Sequence, residues 1–369
     1  MAFRPWPGII PRVEGMPALR YTTTGDGVSL AYTVTGAGPT LVWMPSLGNL
    51  VAQWRVPPLR EAYRRLAESV RLVLYDGRGT GASDRRVDPA GLGLDGQLQD
   101  LAAVLDAACS PGPVALLGYY HSVPAAVAFA ARHPERVSRL VLFGGALRLR
   151  EAMSPQQTQA LLWLVDRDWE LFAQTAAHAW LGWDSGENGR LIAEMFRTAC
   201  SHDIATAIFQ HAESIDVSAD AASVRAPALV LHRQGERQLS VEVSRQLADA
   251  LPHGVLHVLD GTTPTLFFED PGADLDLVTG FLGGEEIPAA RAAMGAPTPP
   301  DAGPQPPPLT DRELQVLRLL AGGSSNRQIA RALGIAEHTV ERHAGNLYRK
   351  IAARSRAEAA AYAVREGWA

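Results

Sequence analysis

The chain has 369 residues, 47% of them hydrophobic and 20% charged, with a formal net charge of −5. This is ordinary globular composition, too long for one small core, so two domains are expected and wholesale disorder is excluded. No uninterrupted apolar run reaches 18 residues and Cys109 and Cys200 are the only cysteines, so no membrane partner, disulfide framework or four-ligand zinc site is expected.

Pro5 and Pro7 interrupt the first ten residues where an export signal needs an apolar helix, and a reducing, cytoplasmic setting is expected. Strand-like and helix-like segments then alternate. Ser29–Thr35 and Leu41–Pro45 read as strands, Leu59–Glu68 as a helix, Leu72–Asp76 as a strand and Leu98–Ala108 as a helix. Val114–Gly118 is a strand, Ala125–His133 a helix, Val137–Phe143 a strand. After an interruption come strand Ala228–Arg233, helix Val241–Leu251, strand Val255–Leu259 and helix Asp274–Leu282. Continuous apolar strands between amphipathic helices predict an α/β body with a mostly parallel sheet covered on both faces.

The interruption, about 148–222, has only helical periodicity and carries Trp163, Trp169, Trp180 and Trp183 within 21 residues. It is expected to form a helical cap over the C-terminal edge of the sheet, where such folds bind ligands. From Glu286 to Pro308 eight prolines and several alanines leave little to bury, which predicts a semi-rigid linker. The expected organisation is a body over 1–285, a linker over 286–308 and a small all-α domain over 309–369. That last stretch carries ten basic and six acidic residues, so a +4 module follows a −9 body. A basic module on an acidic body points to nucleic acid.

Several segments of the body carry a resemblance. Tyr75-Asp76-Gly77-Arg78-Gly79-Thr80-Gly81-Ala82-Ser83-Asp84 looks like a D-x-R-G-x-G-x-S-D turn, and Leu116-Leu117-Gly118 leads into helix Ala125–His133. Phe268-Glu269-Asp270-Pro271 looks like the E-x-P that follows a catalytic histidine. Together they resemble the α/β-hydrolase superfamily over about Leu19 to Gly284. The resemblance implies a Ser-His-acid triad, and the positions depart from it. Tyr120 stands at the nucleophile elbow, Pro264 at the base, and only Glu236 fits the acid. Ser122 sits two residues past the elbow, placed to bond backbone groups rather than attack. Pro45-Ser46-Leu47-Gly48 replaces the usual oxyanion-loop residues. A phenol is a poor acyl-transfer nucleophile and proline transfers no proton, so no catalytic residue and no cofactor are expected.

The tail resembles the LuxR/GerE class of helix-turn-helix. Thr310 caps the first helix with Glu313 completing a capping box, Ser325 to Leu333 forms the scaffold helix, Gly334-Ile335-Ala336 the turn, and Glu337 to Ile351 the recognition helix. A fourth helix begins at Ser355-Arg356 and is the usual pairing surface of this class. Ile329, Ala330, Leu333, Ile335, Val340, Leu347 and Ile351 recur at helical spacing and are expected to form one small core, with Val340 also counted among the DNA-binding positions; Glu341 and Arg342 are expected to read base edges, while Asn326, Thr339, His343, Asn346 and Lys350 suit the backbone.

The leading expectation is a one-component transcription regulator that is not an enzyme, a homodimer on double-stranded promoter DNA, with RNA polymerase a further candidate partner. Its ligand is a small, mostly apolar molecule held by Ser46, Leu47, Tyr119, Tyr120, His121, Trp163, Trp180, Trp183 and Pro264. The alternatives are an active serine-hydrolase-like enzyme fused to a DNA-binding domain, and a body that only dimerises.

Overall fold

The computed structural model describes residues 13–109, 111–151, 162–181, 186–236, 239–263, 265–287, 309–351, 353, 355–365 and 368. The chain forms two compact units, one of Met1–Ala152 with Glu194–Ala289, the other of Met153–Ala193 with Ala290–Ala369. The insertion 148–222, read above as one cap, is therefore divided between them.

The first unit is built on an eight-stranded sheet in the order β1-β2-β4-β3-β5-β6-β7-β8. The strands are β1 Arg20–Thr23, β2 Ser29–Thr35, β3 Thr40–Trp43, β4 Arg71–Tyr75, β5 Val114–Tyr119, β6 Val137–Phe143, β7 Ala228–Arg233 and β8 Gly254–Leu259. β1 and β2 pair antiparallel and β2 meets β4 antiparallel, while all other pairs are parallel. This is the expected mostly parallel sheet. β1 escaped the sequence reading because it is an edge strand whose residues are largely exposed, leaving no apolar alternation to detect.

The covering helices are α1 Pro57–Ser69, α2 Leu94–Ala108, α3 Val123–Arg132, α7 Val241–Ala250 and α8 Pro271–Gly283. α3 is an alanine-rich helix buried along most of its length, with Pro124 in its first turn, where no intrahelical donor is lost. Its small side chains let it lie close on the sheet. The strand beneath must be equally small: a Cβ on Gly118 would meet Ala126, Leu142 and Val123 at 3.2 Å. From the insertion, α4 Trp169–Leu181 belongs to the second unit and α6 His202–Ser214 to the first. The helix between them, α5 Gly186–Ala199, carries the chain from the second unit into the first.

The tail consists of α9 Asp311–Ala321, α10 Asn326–Leu333, α11 Glu337–Lys350 and α12 Arg356–Arg365. Both predicted starts are true capping boxes. Thr310 and Glu313 cap α9 reciprocally, as Ser325 and Gln328 cap α10. Gly334 ends α10 in the left-handed conformation at φ 64°, which glycine adopts without steric cost. Val316, Leu317, Leu320, Ile329, Val340, Leu347 and Ile351 close a single small core.

Candidate ligand site and DNA interface

β5 runs into a tight turn and then α3. Tyr120, at the turn, has φ 47°, a left-handed conformation that a bulky residue adopts only under strain. The backbone is thus that of a nucleophile elbow, but the side chain is a buried phenol. The ring fits because Gly144 follows β6 with no side chain: a Cβ there would approach the Tyr120 ring to 2.6 Å. The Tyr120 hydroxyl donates to Glu236 Oε1 at 2.9 Å. Glu236 occupies the acid position after β7, and burial raises its carboxyl to about 7. The acid therefore bonds the elbow residue itself. Burial, with Glu236 beside it, pushes the Tyr120 phenol further above its ordinary range, away from the nucleophilic phenolate.

Ser122 is spent on the backbone. Its Oγ accepts from Tyr119 N–H at 2.9 Å and donates to the Tyr119 carbonyl at 3.1 Å, which pins the turn. Tyr119 stacks on Phe143 at 5.5 Å and lies near Trp43, which in turn meets Phe267 at 5.5 Å. Aromatic rings fill the space behind the elbow.

The loop that should carry the base is held from three sides. Arg233, at the end of β7, pairs with Asp274 of α8 at 2.8 Å, and both are buried to about 1% exposure. Arg233 also donates to the carbonyls of Asp260 and Thr265, while Asp274 accepts from Phe267 N–H. The Glu269 carboxylate accepts from the amides of Thr262 and Thr263 at 2.8 Å. Pro264 itself lies outside the described residues. Sequence reasoning missed Arg233 and Asp274; the signal was an arginine ending an otherwise largely apolar strand.

The turn after β4 is structural in the same way. Asp76 accepts from Leu50 N–H and Ala82 N–H at 2.8 and 2.7 Å, and burial lifts its carboxyl to about 6. Arg78 bridges Asp100 at 2.8 Å with both side chains buried. Beside them is a cavity of about 80 Å³, lined among others by Met44, Ser46, Leu47, Leu92, His121 and Ile208 of α6. His121 makes an edge contact with Phe209 at 5.8 Å, and burial depresses its imidazole to about 4, so it is neutral near pH 7.

Of the nine expected ligand residues, the structure gathers Ser46, Leu47 and His121 at this cavity. Tyr119 and Tyr120 pack behind the elbow instead. Trp163 lies in the second unit, 42% exposed, with the Arg167 guanidinium 3.9 Å from its ring centre. Trp180 is described only as a position in α4, and Trp183 lies outside the described residues.

In the tail, Glu341 and Arg342 are exposed on the first turns of α11, as a base-reading face requires. Thr339, His343 and Asn346 are half-buried, Asn326 likewise at the start of α10. Gly345 is exposed on α11 and contributes no side chain there. Two expectations change. Val340 is fully buried in the tail's core, so its side chain packs and does not reach DNA. Lys350 is tied by its Nζ to Glu313 Oε2 at 2.6 Å, because the capping-box carboxylate is buried and needs a cation. Burial would raise Glu313, but Lys350 and the Thr310 amide outweigh it and hold the carboxyl below its usual range.

This sheet order, elbow and tail can be set beside known proteins. The model of the family described as serine aminopeptidase, S33, matches residues 61–271. The chain belongs to this family. Its C-terminal residues 307–363 match the model of bacterial regulatory proteins, luxR family. A putative carbamate hydrolase, RutD, of Caulobacter sp. (strain K31) is 27% identical over 75% of this chain and 97% of that protein. The nitrate/nitrite response regulator NarP of Escherichia coli is 57% identical over 51 residues, 14% of this chain and 24% of that protein. The chain thus spans about a quarter of the length of the regulator relatives, through the tail alone. Among solved structures, esterase RhEst1 from Rhodococcus sp. superimposes with a TM-score of 0.62 at 21% identity, covering 73% of this chain and 99% of that one. The enol-lactonase from Burkholderia xenovorans gives 0.60 at 21% identity, over 72% of this chain and all of that one. The protein is an α/β-hydrolase-fold body of this family fused to a luxR-type DNA-binding regulator domain. Among the described residues no helix is long and apolar enough to cross a membrane.

Proposed function

We propose that the chain is a one-component transcription regulator, whose body senses a small molecule without hydrolysing it and whose tail binds promoter DNA as one half of a homodimer. The observation that carries the reading is the Tyr120–Glu236 bond. The elbow keeps its strained backbone, yet its side chain is bulky, protonated and committed to the acid that would have served a histidine. Losing two triad members costs about 10⁶ in rate, since they act as a unit.

The sensing site we favour is the cavity at Leu47 and His121. At about 80 Å³ it holds only a very small guest as it stands, and a guest of metabolite size requires the surrounding loops to move. The C-terminal half of α5 touches the loop that borders the cavity: a Cβ on Gly48 would lie 3.7 Å from Met195 Sδ, and the Asn49 side-chain amide donates to the Thr198 carbonyl at 3.4 Å. A guest acts on DNA binding by its different affinity for two states of the chain.

The relatives with hydrolase names make an active enzyme the competing reading. A chromogenic ester assay on the full chain separates the two. We expect turnover at background, unchanged in Ser122→Ala. Turnover well above background that Tyr120→Phe or Ser122→Ala abolishes establishes the enzyme instead. A thermal-shift screen of small metabolites tests sensing, because a binder raises stability by mass action.

A further inference from the structure

Helix α12 is buried on two sides. Ala359, Ala360 and Ala363 belong to the tail's own core with α9. Ala357, Glu358 and Ala361 are also buried, at 4%, 7% and 2% exposure, but stand outside that core. At 100° per residue the second group lies across the helix from the first. The element that packs against α12 besides α9 is α4, the helix of the insertion.

α4 is built for enclosure. Leu171, Phe172, Ala173, Thr175, Ala176, Ala177 and Leu181 are all buried and cover most of the helix's circumference, leaving one polar line at Glu170, Gln174 and His178. A helix buried over so wide an arc needs neighbours on more than one side. The contact continues along the preceding segment 162–167. A Cβ on Gly322, just after α9, would stand 3.2 Å from the Trp163 ring, and one on Gly323 would stand 3.9 Å from Arg167 Cβ. Asp168 places its charge near Arg356, which begins α12 and donates to the carbonyls of Leu320 and Ser324. The insertion therefore holds the last helix of the DNA-binding domain by its outer face.

In the helix-turn-helix class that this tail resembles, the fourth helix is the usual pairing surface. One such module contacts a half-site, and two must be joined to span an operator. Ala357 and Ala361, one turn apart with minimal side chains, allow a second helix to approach closely, and α4 is the helix that does so within the chain. We propose that α4 masks α12: it occupies the surface through which a second copy of this chain would pair, and its withdrawal exposes that surface. The contact is an autoinhibitory one whatever the body binds.

The test uses the full chain. In Ala173→Glu/Ala177→Glu, two charges are placed on α4 while the tail is left intact. We expect this variant to shift from monomer to dimer at micromolar concentration in sedimentation velocity. We also expect it to bind a randomised 40-base-pair duplex pool at least tenfold more tightly than the unaltered chain, with Ala361→Glu added on top cancelling both gains. Should α4 simply unfold in the variant, α12 is freed all the same and the expected outcome stands. A second measurement leaves α4 untouched. Ala361→Cys should react with a soluble thiol reagent at least tenfold more slowly than the exposed Gly345→Cys in the same chain. Equal labelling rates, or an α4 variant that keeps the oligomeric state and DNA affinity of the unaltered chain, overturns the proposal.

Discussion

The two ends of the chain keep their family patterns for opposite purposes. In the tail the residues expected to read DNA, Glu341 and Arg342, stand exposed on α11. In the body the polar residues near the elbow face one another: Tyr120 with Glu236, Arg233 with Asp274, Arg78 with Asp100. A surface site is legible residue by residue, because each side chain acts alone on an outside partner. A buried site is not, because each polar group there must find a partner within the protein, and the pairing decides its chemistry.

The largest effect that can break this comparison is at Arg233. Removing it, as in Arg233→Met, leaves the Asp274 carboxylate buried without its cation. We expect a loss of about 3–5 kcal/mol in body stability, read as a fall in chemical-denaturation midpoint. Replacing both partners by leucine should recover much of that loss. If the single and double variants melt alike, the pair is not what holds the loop.

Next comes Glu236. Its carboxyl is raised to about 7 in the fold by burial, against an ordinary value of 4.5. The folded state thus favours the proton, so the contribution is favourable at low pH and is lost as pH rises from the ordinary value to about 7. The decline amounts to about 3 kcal/mol. Glu236→Gln, which still accepts the Tyr120 hydroxyl, should remove this part of the pH dependence and leave the decline from Asp76 together with the opposite rise from His121 and His232, whose imidazoles burial depresses to about 4. Stability curves of parent and variant that run parallel from pH 5 to pH 8 contradict the assignment.

In the tail, Arg342→Ala should cost about 1–3 kcal/mol in DNA binding and relax preference at one base pair, without changing the melting temperature. Selection from the randomised duplex pool reads out the lost position. A uniform loss across all sequences would move Arg342 to the backbone-contacting set. The smallest effect belongs to Lys350. Because it pairs with Glu313, Lys350→Ala should lower tail stability by about 1 kcal/mol and also weaken binding to all sequences alike. An unchanged melting temperature means the ion pair adds nothing and the residue serves DNA only.

Where sequence and structure agree, the signal was local. Val137–Phe143 and Ala228–Arg233 are strands with the expected limits, since an apolar run between turn residues has one way to be buried in a parallel sheet, and Ser29–Thr35 also keeps its expected limits although it pairs antiparallel on both sides. The capping boxes at Thr310 and Ser325 were equally plain, because donor and acceptor lie three residues apart in the chain. The absence of serine and histidine from the triad positions was visible for the same reason: each position is set by spacing from a neighbouring strand or helix.

What the chain by itself determined was therefore its two families, the order of most of its strands and helices, its basic tail on an acidic body and the residues standing at each family position. Only the tertiary structure decided what those residues do to one another. Tyr120 meets Glu236 across 116 positions of sequence, and Lys350 meets Glu313 across 37. The insertion looked like a single cap, yet its helix α4 packs on α12. Periodicity states that a helix has an apolar face; it carries no information about which distant surface has room for it, and that is settled by packing.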